Sequence, residues 1–521
     1  MKKIILIIGL AALLRLAFIT GSPPSLYWEE AALGYDAYSI LKTGKDFHGH
    51  PFPLVAFESF GDWKPSGYFY ILVPFIALFG LNETAVRLPS ALAGIATVGL
   101  VYLIAKQISK REPVALWSAL MLAIMPWHIQ FSRAGFEVNM ATGFLTWGVY
   151  LFLRGRTKPF YLLGAMGAMV ASMYTYHGLR LLAPLVSLLM IISSWRQYQK
   201  ERYFWLAGVI GIVLIIPMAA AFWTPQIQQR ILETSLFSTS PAVAITNAER
   251  AADGNTLISH IIHHRYWYWG KEILAGSASH LNPGFLFLKG DDNNRHQTGF
   301  TALLYPWTVL PLIIGLITIL FKRRHWWWVV GWILLATLPP ALTNVTPHTL
   351  RFLPAAPALA LIMGLGMDRF WCWLAGHRYP KVWQGVLIAV MLISVAAYTY
   401  DLRLVYPKRA SQDWQYGYKQ VIQTIKDEYN MGTPITITRY YGRPSIYALF
   451  YLAIDPKQIQ KEEPRLPKDQ GELLAFDQVT FGPPSDAKQG LVVSEKPLLG
   501  GQLVKTIPFL DGKQAYFIYV Y

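Results

Sequence analysis

Long apolar stretches recur along most of this chain, and they constrain its fold more than any other feature. A helix needs roughly 20 apolar residues to cross the hydrocarbon core of a bilayer. About eleven such stretches follow one another, and the sequence predicts a polytopic α-helical membrane protein with spans near 4–20, 86–105, 113–131, 136–153, 159–176, 179–194, 203–223, 301–321, 325–343, 351–373 and 382–400.

Composition narrows the function classes. Only 15% of the residues are charged, against about 25% in soluble domains, yet the formal net charge is +16. A nucleic-acid binder would be rich in charge, so that class is excluded. The single cysteine, Cys372, excludes an intramolecular disulfide and a zinc site built on several cysteines.

The distribution of the basic residues predicts the orientation. A twelfth apolar stretch, residues 66–81, is short and contains Pro74. If it does not cross and the N-terminus is cytoplasmic, the inner segments hold sixteen basic and two acidic residues. If it crossed, these basic clusters would face outward, against the positive-inside rule. Residues 66–81 are therefore predicted to form a juxtamembrane or re-entrant helix, with the C-terminus outside.

Domain organisation follows from these spans. The first segment, MKKIILIIGL, resembles a signal peptide but lacks a small-residue cleavage site, so an uncleaved first span is predicted. Residues 1–400 are expected to form the membrane domain, with outer loops at 21–85 and 224–300. Charge and proline return in residues 401–521, where PITITRYY, GLVVSE, QLVKTIPF and QAYFIYVY are typical of strands and DWQYGYKQVIQTIKDEY of an amphipathic helix. PSIYALFYLAI suits a helix or a buried strand. The tail is predicted to be a small extracytoplasmic α/β domain.

Two adjacent carboxylates in the first outer loop are the first candidates for chemistry. Glu29 and Glu30 open an amphipathic helix in WEEAALGYDAYSILKTG. The structural interpretation is that acids in a first turn are stabilised by the positive end of the helix dipole. Beside Tyr27 and Trp28, partial burial would instead raise the pKa of a carboxylate towards use as a general base.

A third acid, Glu137, lies at the outer junction of two predicted spans, four residues after Arg133. One interpretation is an ion pair at i,i+4 on a helix. The functional interpretation requires Glu137 to converge with Glu29 and Glu30. The predicted topology places all three acids on the outer face.

Three basic residues are also predicted to face outward, against the general trend. They are Lys64 in WKP, Arg180 in YTYHGLR and Arg351 in TPHTLRFLPAAP. Cations at an interface suit an anionic group such as a phosphate. Contact with lipid headgroups without catalysis is an equal alternative for each. His260, His263 and His264 have the spacing of metal ligands on a helix, but no fixed acid partner accompanies them, so a surface helix is favoured.

Five ordered segments resemble one known group of enzymes. They are WEEAALGYDAYSILKTG, WKPSGYFYILVPFIALFG, VRLPSALAGIATVGLVYLIAKQ, FSRAGFEVN and LRFLPAAPALALIMG, within about residues 1–370. In this order they resemble the GT-C superfamily of polytopic glycosyltransferases. The likeness is to the protein O-mannosyltransferases of glycosyltransferase family 39 and to the aminoarabinose transferases of lipid A.

The resemblance implies transfer of a sugar from a polyprenyl-phosphate carrier to an acceptor on the outer face, with inversion. The family's acidic pair, usually Asp-Glu, falls on Glu29 and Glu30, and its second acidic site on Glu137. Its cations fall on Lys64 and Arg351, and Arg180 or Arg133 could assist at the donor phosphate. The expected partners are the lipid-linked sugar, membrane lipid and an acceptor that the sequence does not identify.

Two questions stay open at this level. Glu29 replaces an aspartate of the family pattern, so the base is either Glu29 or Glu30. Metal use varies among GT-C enzymes, so no cofactor is assigned, and a divalent metal shared by Glu29 and Glu137 is one alternative. A transporter would place charges near the bilayer midplane, and a lipid-binding protein would tolerate loss of Glu30 or Glu137. A transferase that uses diphosphate-linked glycans is the nearest enzymatic rival.

Overall fold

A computed structural model describes residues 2–224, 228, 232–428, 433–460, 472–486 and 489–521. Parts of the predicted loop 224–300 and of the tail therefore lie outside the described residues. The described chain is mostly helical, and its β-strands lie in residues 56–65 and after residue 434.

The helices that coincide with predicted spans are rich in apolar residues on every side, as expected of segments surrounded by lipid and protein. In chain order they are Lys2–Leu16, Glu83–Ser109, Glu112–Ile124, Pro126–Ser132, Glu137–Gly155, Tyr161–Thr175, Leu179–Tyr198, Arg202–Ala221, Val309–Lys322, Trp327–Ala336, Leu338–Ala341, Ala356–Ala375 and Pro380–Tyr400.

The remaining helices lie in the predicted outer loops and the tail, or as short turns beside the spans. They are Trp28–Thr43, Gly67–Phe79, Leu236–Thr239, Ala242–Ala252, Leu257–Ile262, Arg265–His280, Gly284–Lys289, Pro306–Thr308, Arg324–Trp326, Thr349–Phe352, Leu353–Ala355, Asp401–Val405, Tyr406–Arg409, Tyr418–Glu428, Pro444–Leu452, Pro456–Ile459 and Pro484–Asp486.

Several helices suit a bilayer, and the chain is a multi-pass membrane protein. Five described helices are long and apolar enough to cross, and two bent pairs bring the number to as many as seven. The bends are 60° within 112–132 and 118° within 306–341. Each predicted span coincides with a helix or a bent pair, whereas the count of eleven crossings and the orientation of the termini stay predictions. The stretch 66–81 forms the short helix Gly67–Phe79.

The chain forms two compact units. The first unit contains the residues up to Ala11, Gly94–Ile129 and Val138–Ser394. The second unit contains Ala12–Ala93, Gln130–Glu137 and Val395–Tyr521. The predicted boundary at residue 400 stays a prediction, but the second unit joins the tail to the first outer loop.

Close helix packing in the first unit depends on glycine. Gly364, in the helix Ala356–Ala375, lies against the backbone of Ser118, and Gly366 lies against the carbonyl of Pro311. A Cβ atom at either position would overlap these backbone atoms. Small residues permit such approach between helices that have no hydrophobic drive to associate within lipid.

The second unit contains a six-stranded sheet. Its strands are β3 (Ile435–Ile437), β4 (Ala475–Phe476), β5 (Val479–Phe481), β6 (Leu491–Ser494), β7 (Gln502–Pro508) and β8 (Gln514–Val520), in the order β4–β5–β3–β6–β8–β7. Strand β3 pairs in parallel with β5 and β6, and the other pairs are antiparallel. A C-terminal region with a β-sheet was expected and is present.

A hairpin in the second unit carries one of the candidate cations. Strands β1 (Ala56–Ser59) and β2 (Asp62–Pro65) are antiparallel and pair Ser59 with Asp62. The two turn residues, Phe60 and Gly61, have φ of 58° and 77°. Positive φ at both central residues matches the right-handed twist of hairpin strands. The guanidinium of Arg443 lies 4.2 Å from the centre of the Phe60 ring, which holds this unusual turn residue.

The helix with the acidic pair packs on the tail within the second unit. Gly34 of Trp28–Thr43 lies directly against Phe450 and Val86, and the Tyr35 hydroxyl donates to the carbonyl of Ile454 at 3.0 Å. The Tyr447 hydroxyl donates to the carbonyl of Leu26 at 3.1 Å. The tail helix Pro444–Leu452 therefore fixes the start and the middle of the acidic helix.

Candidate active site

Adjacent glutamates of the acidic helix occupy different environments. The side chain of Glu30 is fully buried and that of Glu29 is 37% exposed. One Glu30 oxygen accepts from Arg87 Nε at 2.9 Å and from the backbone N–H of Gly135 at 2.7 Å. The other accepts from Arg87 Nη2 at 3.0 Å and from the backbone N–H of Tyr27 at 3.3 Å. Glu30 is thus fully engaged in structural hydrogen bonds.

Arg87 is the buried partner of Glu30, and it was not among the residues predicted from the sequence. Its side chain is fully buried. Besides the bidentate bond, Nη1 donates to the carbonyls of Ile19 and Pro23 at 2.8 Å, and Nη2 donates to the carbonyl of Ser25. A buried pair of this kind is tolerable only when its donors and acceptors are satisfied. The sequence held one signal for this residue, which is an arginine within a predicted apolar span.

Lys64 lies between the other two acids. Its Nζ is 3.0 Å from a carboxylate oxygen of Glu29 and 3.9 Å from one of Glu137. The side chains of Lys64 and Glu137 are 8% and 13% exposed. The structure therefore brings together Glu29, Lys64 and Glu137 from a helix start, a strand and a second helix start. We call these three residues the acidic cluster.

Glu30 also helps to position the residues of the acidic cluster. It follows Glu29 directly in the chain, and its bond to Gly135 holds the loop that precedes Glu137. Glu137 begins the helix Glu137–Gly155, where a carboxylate is favoured by the free N–H groups of the first turn. The convergence of the three acids expected from the sequence is thus present within one unit.

Arg133 has a different environment from the one considered for it. Its guanidinium donates to the carbonyls of Leu14, Ala17, Phe18 and Ser22, at 2.8–2.9 Å. These bonds engage all three nitrogen atoms of the guanidinium. The Leu14 carbonyl belongs to the last turn of the helix Lys2–Leu16, where carbonyls lack a partner within the helix, and the other three acceptors follow that helix. The phosphate-binding role considered for Arg133 stays a prediction.

The fit of a metal between Glu29 and Glu137 can be judged from Lys64. The ammonium group of Lys64 lies within 4 Å of both carboxylates, where a shared ion would lie. A metal shared by Glu29 and Glu137 would have to displace this ammonium group, and that metal stays a prediction.

Arg351 and Arg180 belong to the first unit. Arg351 lies in the short helix Thr349–Phe352 and donates to the hydroxyl of Thr343. Arg180 lies in the first turn of Leu179–Tyr198 and is half-buried. Their roles at a donor phosphate stay predictions.

A second group of ionisable residues lies beside Arg351 in the first unit, and it was not predicted from the sequence. Donor atoms of Asp291, His296 and His348 all lie within 4.8 Å of one another. His296 Nδ1 is 2.8 Å from an oxygen of Asp291, and the same oxygen accepts from the backbone N–H of Thr349 at 2.9 Å. We call these three residues the Asp-His-His cluster. Only their spacing of 5 and 52 residues in the chain links them in the sequence, and that is no recognisable motif.

The environment of the Asp-His-His cluster shifts its titration. Burial opposes ionisation of Asp291, but the hydrogen bond and charge of His296 outweigh it and lower the Asp291 pKa to about 2. Burial, with the nearby charge of Arg351, lowers the pKa of His348 to about 3. Burial likewise lowers the pKa of the neighbouring His280 to about 4. His348 and His280 are therefore neutral near pH 7.

One expectation about histidine is wrong. No acid partner was expected for the histidines at 260–264. In the structure His263 Nδ1 is 3.1 Å from Glu249 and Nε2 is 2.5 Å from Asp253. The helix Ala242–Ala252 brings Glu249 to this position, and Asp253 directly follows that helix.

Comparisons with known proteins bear on the resemblance. The chain has the fold of the GT-C membrane glycosyltransferases, and the resemblance predicted from the sequence is confirmed. The family profile described as dolichyl-phosphate-mannose-protein mannosyltransferase matches residues 63–221, about a third of the chain.

Particular proteins share this fold. ArnT from Cupriavidus metallidurans in the apo state is 14% identical, with a TM-score of 0.57 over 99% of this chain and 97% of that one. The structure of the same ArnT bound to undecaprenyl phosphate gives a TM-score of 0.54 with the same identity and coverage. The oligosaccharyltransferase AglB from Archaeoglobus fulgidus, in complex with an inhibitory peptide and a dolichol-phosphate, is 12% identical. Its TM-score is 0.50 over 86% of this chain and 63% of that one. A comparison with curated sequences gives no match.

Proposed function

We propose that this protein transfers a sugar from a polyprenyl-phosphate carrier to an acceptor on the outer face of the membrane, with inversion at the anomeric carbon. The family profile and the ArnT-like fold support the reaction class. The observation that carries the proposal is the acidic cluster, in which a partly exposed carboxylate and an ammonium group lie 3.0 Å apart. The acceptor is a hydroxyl-bearing group of a protein, a lipid or an envelope glycan.

The acidic cluster supplies the two functions that this reaction needs. The acceptor oxygen forms a bond to the anomeric carbon while the bond from that carbon to the phosphate oxygen breaks. A base takes the hydroxyl proton, and the carrier leaves as a phosphate monoester that gains negative charge. Glu29 is the base in this proposal, and Lys64 stabilises the leaving phosphate. No covalent intermediate is required, since a single displacement inverts the centre.

The different environments of the two glutamates support Glu29 as the base. A base must reach the proton that it removes, and the Glu29 side chain is 37% exposed. The two oxygens of Glu30 are fully buried and already accept four hydrogen bonds. Glu30 is therefore a positioning residue, and it acts through Glu29 and the loop that precedes Glu137.

Glu137 and the arginines have supporting roles in the proposal. Glu137 lies 3.9 Å from Lys64 Nζ and orients the ammonium group or the acceptor. Arg351 and Arg180 remain candidates for the donor phosphate, on the resemblance and on their predicted outward position. Arg133 is satisfied by backbone carbonyls, so we assign it to positioning the loop before Glu137.

Transfer from a labelled donor tests the proposal directly. Purified protein in lipid vesicles is incubated with polyprenyl-phosphate mannose, then with the arabinose-type and diphosphate-linked donors. The variant Glu29→Gln keeps the shape of the side chain and loses its basicity, so transfer should fall about 10²–10⁴-fold, the usual contribution of a general base. Glu112→Gln is the matched control, because Glu112 pairs with Lys106 in a predicted inner loop.

The outcomes separate the alternatives. Wild-type transfer by Glu29→Gln would refute the base assignment while leaving the reaction class intact. Transfer from the diphosphate donor alone would favour the rival transferase. A lipid-binding protein or a transporter would release no free polyprenyl phosphate with any donor, and that result would reject the proposed function.

A further inference from the structure

The Asp-His-His cluster shares no residue with the acidic cluster, and the proposed transfer assigns none of its three side chains a part. We propose that Asp291, His296 and His348 bind one divalent metal ion of the zinc type. One carboxylate and two imidazoles are the ligand set that zinc takes in many sites with an open fourth position. Harder ions such as Mg²⁺ prefer oxygen ligands alone, so two imidazoles favour zinc or a neighbouring transition metal.

The distances suit such an ion. Donor atoms that bind zinc at about 2.0–2.1 Å in a tetrahedron lie roughly 3.3 Å apart. Here the three donors lie within 4.8 Å of one another, and one pair is already at 2.8 Å. Side-chain movements of about 1 Å therefore complete the coordination geometry. The contact from the backbone N–H of Arg351 to His348 Nδ1 is long, at 3.4 Å, and coordination through that nitrogen would replace it.

Surrounding hydrogen bonds hold the ligands in place. Asp291 accepts from the backbone N–H groups of Asn293 at 3.1 Å and Thr349 at 2.9 Å. His296 Nδ1 already lies 2.8 Å from Asp291, and an ion held by both residues would replace this hydrogen bond.

His280 orients the third ligand through the backbone. Its Nδ1 donates to the carbonyl of Gly276 at 2.7 Å, and its Nε2 accepts from the backbone N–H of His348 at 3.0 Å. His280 is fully buried. These bonds fix the tautomer of His280 and the position of residue 348, so it serves as a positioning residue for the ligand set.

The carboxylate of Asp291 attracts a metal ion and repels a phosphate, whereas the nearby positive charge of Arg351 acts in the opposite direction. A bound ion would join the loop after Gly284–Lys289 to the start of Thr349–Phe352. That short helix carries Arg351, so the ion would fix the backbone beneath a candidate phosphate-binding residue.

Metal content and affinity test this inference on the full-length protein. The protein is purified in detergent, stripped with a chelator, and titrated with Zn²⁺ alone against a chromophoric competitor. We expect one tightly bound ion per chain. Asp291→Asn or His296→Asn should weaken binding at least about 100-fold. His280→Asn, which changes an outer partner, should have a smaller effect of about 10–100-fold. Asp292→Asn and His263→Asn are the matched controls and should keep wild-type affinity.

A second variant guards against simple loss of folding. His348→Cys offers a thiolate in place of an imidazole, so its Co²⁺ complex should show a thiolate-to-cobalt charge-transfer band. Wild-type protein, which still contains Cys372, should lack this band. Absence of a tight ion in the wild type, loss of the ion with His263→Asn, or a His348→Cys complex without the band would each overturn the inference.

Discussion

Replacement of Arg87 by methionine separates positioning from chemistry at the acidic cluster. The substitution keeps an unbranched chain of similar volume and removes every polar atom. Glu30 then stays buried with only the N–H groups of Tyr27 and Gly135 as donors. The carbonyls of Ile19, Pro23 and Ser25 lose their donor as well.

Removal of one partner from a buried ion pair costs about 3–5 kcal/mol. If the 521 residues unfold as one cooperative unit, the entropy of unfolding is about 1.1 kcal/mol/K. The apparent Tm of Arg87→Met should therefore fall by roughly 3–5 °C, and by more if the second unit unfolds alone. Glu29→Gln breaks only a partly exposed pair, worth less than about 1 kcal/mol, and should leave Tm within about 1 °C.

The assay combines thermal unfolding of the purified protein with transfer activity measured well below Tm. Arg87→Met should lower both the Tm and the transfer activity, whereas Glu29→Gln should lower only the transfer activity. The double variant Arg87→Met/Glu30→Gln should regain part of the lost stability, because it also removes the buried charge of Glu30 that has lost its partner. A stable, fully active Arg87→Met protein, or a double variant less stable than the single one, would refute the reasoning.

Three further predictions concern the residues around the acidic cluster. Lys64→Met should reduce kcat of transfer about 10²–10³-fold, the usual loss for one electrostatic donor, and Lys64→Arg should restore part of it; equal kcat in wild type and Lys64→Met would exclude the phosphate role. Gly61→Ala puts a side chain at φ of 77° and should destabilise the hairpin by about 1 kcal/mol. The measurement is increased proteolysis near residue 60 relative to Gly482→Ala, where φ is not positive. Phe450→Ala should cost about 3–5 kcal/mol and lower activity, because the cavity forms directly under the acidic helix; an unchanged Tm would contradict the packing described for Gly34.

Apolar periodicity predicted the helices well, because a stretch of about 20 apolar residues has few other stable arrangements. The short stretch at 66–81 became the helix Gly67–Phe79, and the ambiguous PSIYALFYLAI became the helix Pro444–Leu452. The predicted strands of the tail correspond to β3, β6, β7 and β8. The amphipathic helix of the tail is present as Tyr418–Glu428, and its last predicted residue, Tyr429, lies outside the described residues.

The hairpin was not predicted, because Phe60 is a poor sequence signal for a left-handed turn. Its conformation depends on Arg443, far along the chain.

The candidate site was predictable only in part. Glu29, Glu137 and Lys64 were identified by residue type, position and resemblance, and the structure brings them together. The sequence could not decide whether Glu29 or Glu30 is the base, because that depends on the burial of Glu30 against Arg87, which is 57 residues away in the chain. The Asp-His-His cluster was not predicted for the same reason, because residues far apart in the chain form it and no local sequence pattern indicates it.

The bonds of Arg133 join the end of the helix Lys2–Leu16 and the residues after it to the segment before Glu137. Proteolytic removal of residues 2–22, or exchange of this segment for an unrelated tag or leader, would take away all four carbonyl acceptors at once. The guanidinium of Arg133 would then lose these acceptors. Because Arg133 lies four residues before Glu137, we expect the acidic cluster to be disturbed as well. Expression strategies and truncation studies should therefore treat the first helix as inseparable from the site.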